Sequence, residues 1–374
     1  MDISFKFDPE ILIGSDTLSM IGTIASRYGS RMMVAADHGL DDQSVNRLKD
    51  ILEDSGLEVI VFNGIEDSSS IEMADNIVEL SLAAHCDAII GFGGLKTQII
   101  TRMAAIMAPM RFTAFELLDS RSFQNKSFPL ISIPTEGMDA FSLTGFFITI
   151  DPRSRMVKSI RSPNNLYAAV IIDSNLINFR SNAAAFVLEG FFYAAESYCS
   201  MRSNFFSDTL LEKALSNYAK ILRSGSANNI NTEVFVQANF LASAGSYVSS
   251  PGAGAVLSAA INARSLIAKP LCSAALFNSI AERLVSARPE KMARIASFLG
   301  SAKAASVAEA AASALESIRR IMATLNIPSN LKEYNIPLDR ITAAAEAARS
   351  LDFIANSPWT VSEEEVFKIL KEIL

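Results

Sequence analysis

The sequence predicts an α/β half with a parallel sheet, residues 1–178, followed by an all-helical half, residues 179–374. Three observations carry that fold class. Short apolar, β-branched runs alternate with amphipathic helix-length segments through the first half, the pattern of a parallel sheet wrapped by helices. The stretch 86–106, CDAIIGFGGLKTQIITRMAAI, reads as a buried strand at 88–91, a glycine turn at 91–94 and a helix. From about residue 181 strand signals stop and alanine-rich helical periodicity takes over.

Taken in order, residues 4–7 and 10–13 read as short strands around a turn, and Ser15 or Asp16 as the cap of a helix reaching Tyr28. The run 31–36 is a buried strand that stops at the polar turn Asp37-His38-Gly39-Leu40. A helix over 42–55 ends at Gly56, a residue suited to a left-handed stop. A strand at 57–62 closes on an Asn63-Gly64 turn, and a helix follows at 70–84. After the glycine stretch come a strand at 129–133, a hairpin of 144–150 against 156–160 with its turn at Asp151-Pro152, and a last strand at 170–172. The second half reads as helices at 183–202, 208–224, 232–247, 253–267, 273–287, 289–299, 307–325, 338–350 and 362–373.

Composition narrows the function. With 33 basic and 40 acidic residues the net charge is −7, which argues against the basic stripe of a nucleic-acid binder. Half of the residues are hydrophobic, so a large core needs no disulfides, and Cys86, Cys199 and Cys272 stand too far apart for a metal spacing. The opening MDISFKFDPE does not read as a signal peptide, and the most apolar tract, 253–277, is broken by Arg264, Lys269 and Pro270. The expectation is a soluble cytoplasmic protein. Only two histidines, His38 and His85, are present, so no mechanism that needs several can operate. His85 sits at a helix end, where a cation suits the dipole; His38 stands at a strand's carboxyl end, where ligands bind.

Those carboxyl ends are 37–40, 91–96 and 134–139. A strand–glycine–helix junction leaves backbone N–H groups at a helix N-terminus, a ready seat for phosphate or pyrophosphate. Alternatively the glycines serve only a left-handed backbone. In the second half, Glu189 and Glu196 are the only carboxylates of the helix 183–202; seven residues apart, they share a face with Tyr193 between them. Buried carboxylates need partners, so this is either a functional face or a pair of structural anchors.

The order of motifs resembles the iron-containing alcohol dehydrogenase family, with its dehydroquinate synthase-like fold, essentially end to end. Gly91-Phe92-Gly93-Gly94 matches the start of that family's GxGGGS pyrophosphate loop, and Ile133-Pro134-Thr135 matches its PT loop. Thr144, Asp151, Lys158 and Asp173 fall at family spacing, and Glu196-Ser-Tyr-Cys-Ser200 resembles EAYxS. Phe277-Asn278, Ile327-Pro328-Ser-Asn-Leu331 and Asn356-Ser-Pro358 match late landmarks. The resemblance implies NAD or NADP, a divalent iron or zinc ion, a small alcohol or aldehyde in an interdomain cleft, and a homo-oligomer. Together with the strand ends it nominates Asp37, Gly39, Gly93, Gly94, Lys96, Pro134, Thr135 and Asp139 as cofactor contacts.

This chain departs from the family pattern at the chemistry. The family holds its metal with an aspartate, a histidine four residues on, and two later histidines. Here those positions carry Glu189 and Tyr193, and the segment 254–270 has no histidine, with Leu257 and Lys269 near the expected places. The third loop glycine is Leu95, the serine is Lys96 and the acidic residue is Ile99. Lys96 either meets a phosphate as a point charge or is a solvated helix-start lysine. The reading is a family-like protein without a metal site, acting as a non-catalytic binding or assembly module that can still hold a nucleotide. Behind it stand an active NAD(P)-dependent oxidoreductase, and metal-independent chemistry using Glu189, Tyr193 and Lys269 with Asp139.

Overall fold

A computed structural model describes residues 9–66, 68–120, 127–162, 166–179, 183–225, 230–265, 267–302, 304–348 and 351–374. The expected strand at 4–7 lies outside them. The chain forms two units: one of residues 1–137, 143–154 and 158–178, the other of 138–142, 155–157 and 179–374.

The first unit is a sheet whose paired strands all run parallel, in the order β1-β8-β5-β4-β2-β3. The strands are β1 (Glu10–Gly14), β2 (Arg31–Asp37), β3 (Glu58–Ile65), β4 (Ala88–Gly93), β5 (Leu130–Pro134) and β8 (Ala169–Asp173). Strands β6 (Phe146–Asp151) and β7 (Met156–Arg161) form a separate two-stranded sheet. Helices α1 (Ile21–Ala25), α2 (Asp42–Asp54), α3 (Met73–Ala83), α4 (Leu95–Met110) and α5 (Ala114–Asp119) fall between the strands. β4 is buried along its whole length, as a parallel strand covered on both faces must be. On one face, alternate residues Met32, Val34, Ile90, Phe92, Ile131, Ile133 and Ile171 pack with Leu18, Ile21, Leu48 and Leu52, following the two-residue period of strands.

Several elements differ from the sequence reading. β4 continues through Gly93, so Gly91 is not in a turn. A Cβ at Gly91 would lie 2.5 Å from Thr101 Oγ1: the glycine lets α4 pack close to its strand. β3 runs through the expected Asn63-Gly64 turn because a register shift opposite Ala36 and Asp37 absorbs the extra residue. Neither Ser15 nor Asp16 caps a helix by its side chain. A 3₁₀ turn, Thr17–Met20, precedes the short α1, and the carboxylate of Asp173, at the end of β8, accepts from Asp16 N at 3.0 Å and Leu18 N at 2.9 Å. A residue distant in sequence has taken over the cap.

The second unit is helical: α6 (Ala183–Cys199), α7 (Phe205–Arg223), α8 (Thr232–Ser249), α9 (Ala253–Ser265), α10 (Lys269–Ala287), α11 (Pro289–Phe298), α12 (Val307–Thr324), α13 (Leu338–Ala348) and α14 (Glu363–Glu372). α6 is its axis, packed by α7, α8 and α10 and buried on nearly every side, which explains why its sequence is apolar all round. α10 starts at Lys269, four residues earlier than the sequence suggests, because Pro270 suits the first turn of a helix. The three cysteines are free and buried. No helix among the described residues is long and apolar enough to cross a membrane.

Candidate functional site

At the carboxyl end of the sheet, the β4–β5 register sets Gly93 beside Pro134. Thr135 N donates to Gly93 O at 3.1 Å, and Asn178 N donates to Thr135 O at 2.8 Å. The buried amide of Gln98, in the first turns of α4, braces the junction. Its Nε2 donates to Gly91 O, Gly93 O and Ile133 O at 3.1, 3.1 and 3.3 Å, while Ser132 Oγ donates to its Oε1 at 2.7 Å. A Cβ at Gly93 would lie 2.6 Å from the Cβ of Asp37, so the ends of β2 and β4 touch there. The buried Asp37 carboxylate accepts from Gly39 N at 2.9 Å. Asp37, Gly39, Gly93, Gly94, Pro134 and Thr135 therefore share one corner of the first unit, and Lys96 lies in the first turn of α4, half-buried. His38 and His85 are exposed, and His85 follows α3 with φ of 54°.

Asp139 belongs to the second unit. Its Oδ1 accepts from Phe141 N at 2.9 Å and Ser142 Oγ at 2.8 Å, and its main-chain oxygen accepts from Ser243 Oγ at 2.8 Å. Its charge acts on Lys269.

In the second unit, helical spacing of four residues puts Glu189 above Tyr193 on α6, and Lys269 above Ser273 on α10. The two pairs meet. Tyr193 Oη donates to Glu189 Oε1 at 2.9 Å and lies 3.0 Å from Ser258 Oγ and 3.2 Å from Ser273 Oγ. Ser273 Oγ donates to the same Glu189 oxygen at 2.9 Å. Lys269 Nζ stands 3.9 Å from Glu189 Oε1 and 5.1 Å from the centroid of the Tyr193 ring. Burial and then the Glu189 charge push the Tyr193 hydroxyl above the ordinary phenol range, so it keeps its proton. Burial works against the Lys269 ammonium, but the charges of Glu189 and Asp139 outweigh it, and the group is held above the usual lysine range. The cluster thus pairs a cation with a carboxylate that accepts hydroxyl protons.

Glu196 has a different task. Its oxygens accept from Gly254 N at 2.7 Å and Ala255 N at 2.9 Å, capping the start of α9. Burial pushes this carboxyl up to about 7, and the backbone N–H donors pull against that rise. It is a structural anchor, whereas Glu189 is tied into the side-chain cluster.

Ser258 and Ser273 carry no motif signal in the sequence. Ser273 was within reach, since it follows Lys269 at the same spacing that links Glu189 and Tyr193. Ser258 lies in the segment 254–270, where a histidine would mark a ligand and a serine does not.

A parallel-sheet α/β unit followed by a helical unit is the architecture that these elements build. Residues 8–174 match the family model for iron-containing alcohol dehydrogenase, and residues 183–374 match the C-terminal model of the Fe-containing alcohol dehydrogenase family. The chain belongs to the iron-containing alcohol dehydrogenase family. It is 24% identical to 1,3-propanediol dehydrogenase of Citrobacter freundii over 371 residues, 96% of this chain and 95% of that one. It is also 24% identical to sulfoacetaldehyde reductase of Bilophila wadsworthia, covering 92% of this chain and 91% of the relative. A crystal structure of 1,3-propanediol oxidoreductase superposes with a TM-score of 0.90 at 21% identity, covering 99% of this chain and all of that one.

Proposed function

We propose that this family member carries out no metal-dependent hydride transfer and works as a non-catalytic binding or assembly module. The observation behind it is the Lys269 ammonium, 3.9 Å from Glu189 Oε1. Glu189 and Tyr193 stand where the resemblance puts two metal ligands. A zinc or iron centre takes imidazole, thiolate or carboxylate donors, about three from the protein with a position left open. The cluster offers one carboxylate, one protonated phenol and two serine hydroxyls. Among the described residues no group of three His, Cys, Asp or Glu side chains converges. This donor set does not fit such an ion, and the ammonium brings the positive charge that Glu189 requires.

Elemental analysis after incubation with iron and zinc, paired with an assay of 1,3-propanediol oxidation, tests the proposal. The expected result is no stoichiometric metal and no turnover, with light scattering reporting a homo-oligomer. About one tightly held metal per chain with NAD-linked activity would overturn it. A second reading is favoured by the meeting of Tyr193 and Lys269: a protonated tyrosine beside a cation is equipped to donate to a carbonyl oxygen. Metal-free reduction of an aldehyde by NADH, abolished in Tyr193→Phe, would establish that reading instead.

A further inference from the structure

The Glu189 carboxylate does its internal bonding with one oxygen. Oε1 accepts from Tyr193 Oη and Ser273 Oγ, both at 2.9 Å, and faces Lys269 Nζ at 3.9 Å. Among the described residues no donor reaches Oε2, yet that oxygen is not sealed in the core: it lies on the 11% of the side chain that solvent reaches. Asp139 repeats the pattern. Its Oδ1 accepts from Phe141 N and Ser142 Oγ, while Oδ2 accepts from no described donor and also keeps access to solvent. Lys269 Nζ, on a side chain 20% exposed, stands beyond hydrogen-bond length from Glu189.

The charges are unbalanced in the same sense as the hydrogen bonds. Two carboxylates, Glu189 and Asp139, share one ammonium, Lys269, on which both charges act. Tyr193 keeps its proton and adds no charge. One negative unit is therefore left over on side chains that are more than nine-tenths buried, where an unmatched charge is costly. A protonated amine supplies the missing positive charge and N–H donors in one group. A calcium- or magnesium-type cation fits poorly, because it takes about six or more oxygens and each carboxylate has only one left to offer.

We propose that Glu189 Oε2 accepts a hydrogen bond from a small primary ammonium ion, drawn in by the charge of Asp139, and that such an amine is the ligand class of this binding module. The inference names the ligand of the cluster described above, so it rests on the metal-free reading of Glu189.

Isothermal titration calorimetry of the EDTA-treated full chain with ethylammonium chloride, at ionic strength held constant with sodium chloride, tests it. The wild type should saturate with a Kd between about 0.5 and 10 mM, the upper affinity being what three non-hydrogen atoms allow. Tetramethylammonium, which has the charge but no N–H donor, should bind at least about tenfold more weakly. Glu189→Gln should weaken ethylammonium binding at least about tenfold and Asp139→Asn about threefold or more; Asp139→Asn carries the test if Glu189→Gln does not fold. Metal-free wild type that shows no saturation up to about 100 mM would overturn this inference alone. So would tetramethylammonium binding as tightly as ethylammonium, or a folded variant that binds like wild type. Elemental analysis of the same sample separates the two readings: about one retained metal ion per chain would overturn the metal-free reading, and this inference with it.

Discussion

Replacing Lys269 by methionine removes the ammonium while keeping much of the side-chain volume. At 3.9 Å from Glu189 Oε1, two unit charges attract by about 4 kcal/mol at an effective dielectric of about 20. Desolvation of both groups offsets part of that, since the side chains are only 20% and 11% exposed. The net coupling should be about 1–2 kcal/mol. The single variant should lose more, about 2–4 kcal/mol, because Glu189 would stay buried with Tyr193 and Ser273 as donors but without its cation. Replacing both, as Glu189→Gln with Lys269→Met, should recover at least about 1 kcal/mol of that loss. Urea unfolding of the four proteins, compared at a common slope, measures these terms. A Lys269→Met protein as stable as wild type would mean that Glu189 has a different counter-ion, and the lysine would lose its assigned role. Strict additivity of the two changes would refute the coupling just as directly.

Other substitutions test separate parts of the structure. Glu189→Ala should lower stability by about 2–4 kcal/mol while metal content, measured by elemental analysis, stays the same. Because the Glu196 carboxyl is pushed up to about 7 from about 4.5 when unfolded, the folded state holds the extra proton between those values. Wild-type stability should therefore fall as pH rises through that window, by up to about 3 kcal/mol, and Glu196→Gln should flatten the dependence seen in denaturant midpoints. Asp173→Asn weakens acceptance from the N–H groups of Asp16, Leu18 and Asn175 and should cost about 1–3 kcal/mol, with faster hydrogen exchange at Leu18. Gly91→Ala forces a Cβ to within 2.5 Å of Thr101 Oγ1; a loss of about 1–3 kcal/mol in thermal unfolding is expected, partly restored by Thr101→Ala.

The alternation of strands and helices was legible because each strand is a continuous apolar run and each helix keeps its own period, as in 31–36 followed by 42–55. What failed was local chemistry decided by distant partners. Asn63-Gly64 has the composition of a turn, yet a bulge against β2 carries it through an edge strand. Gly91 looks like a turn glycine, and its reason is the Thr101 side chain ten residues on. Asp16 has the chemistry of a cap, but Asp173, over 150 residues away, does the capping. The same holds at the candidate sites. Glu189 with Tyr193 could be read from helical spacing, whereas the approach of Lys269 depends on how α6 and α10 cross.

A cation that is part of the chain has consequences that a bound ion does not. Lys269 is made with the polypeptide, so if it takes the place of a metal, as proposed, the second unit waits for no loading step and draws on no cellular supply. Chelators cannot strip it, a competing ion cannot replace it, and oxygen cannot change its valence, as it can for ferrous iron. On the proposed reading, the Glu189 carboxylate meets a charge fixed at one unit on a tethered stem, which fills its need for a partner but leaves no coordination position to which a substrate oxygen could bind.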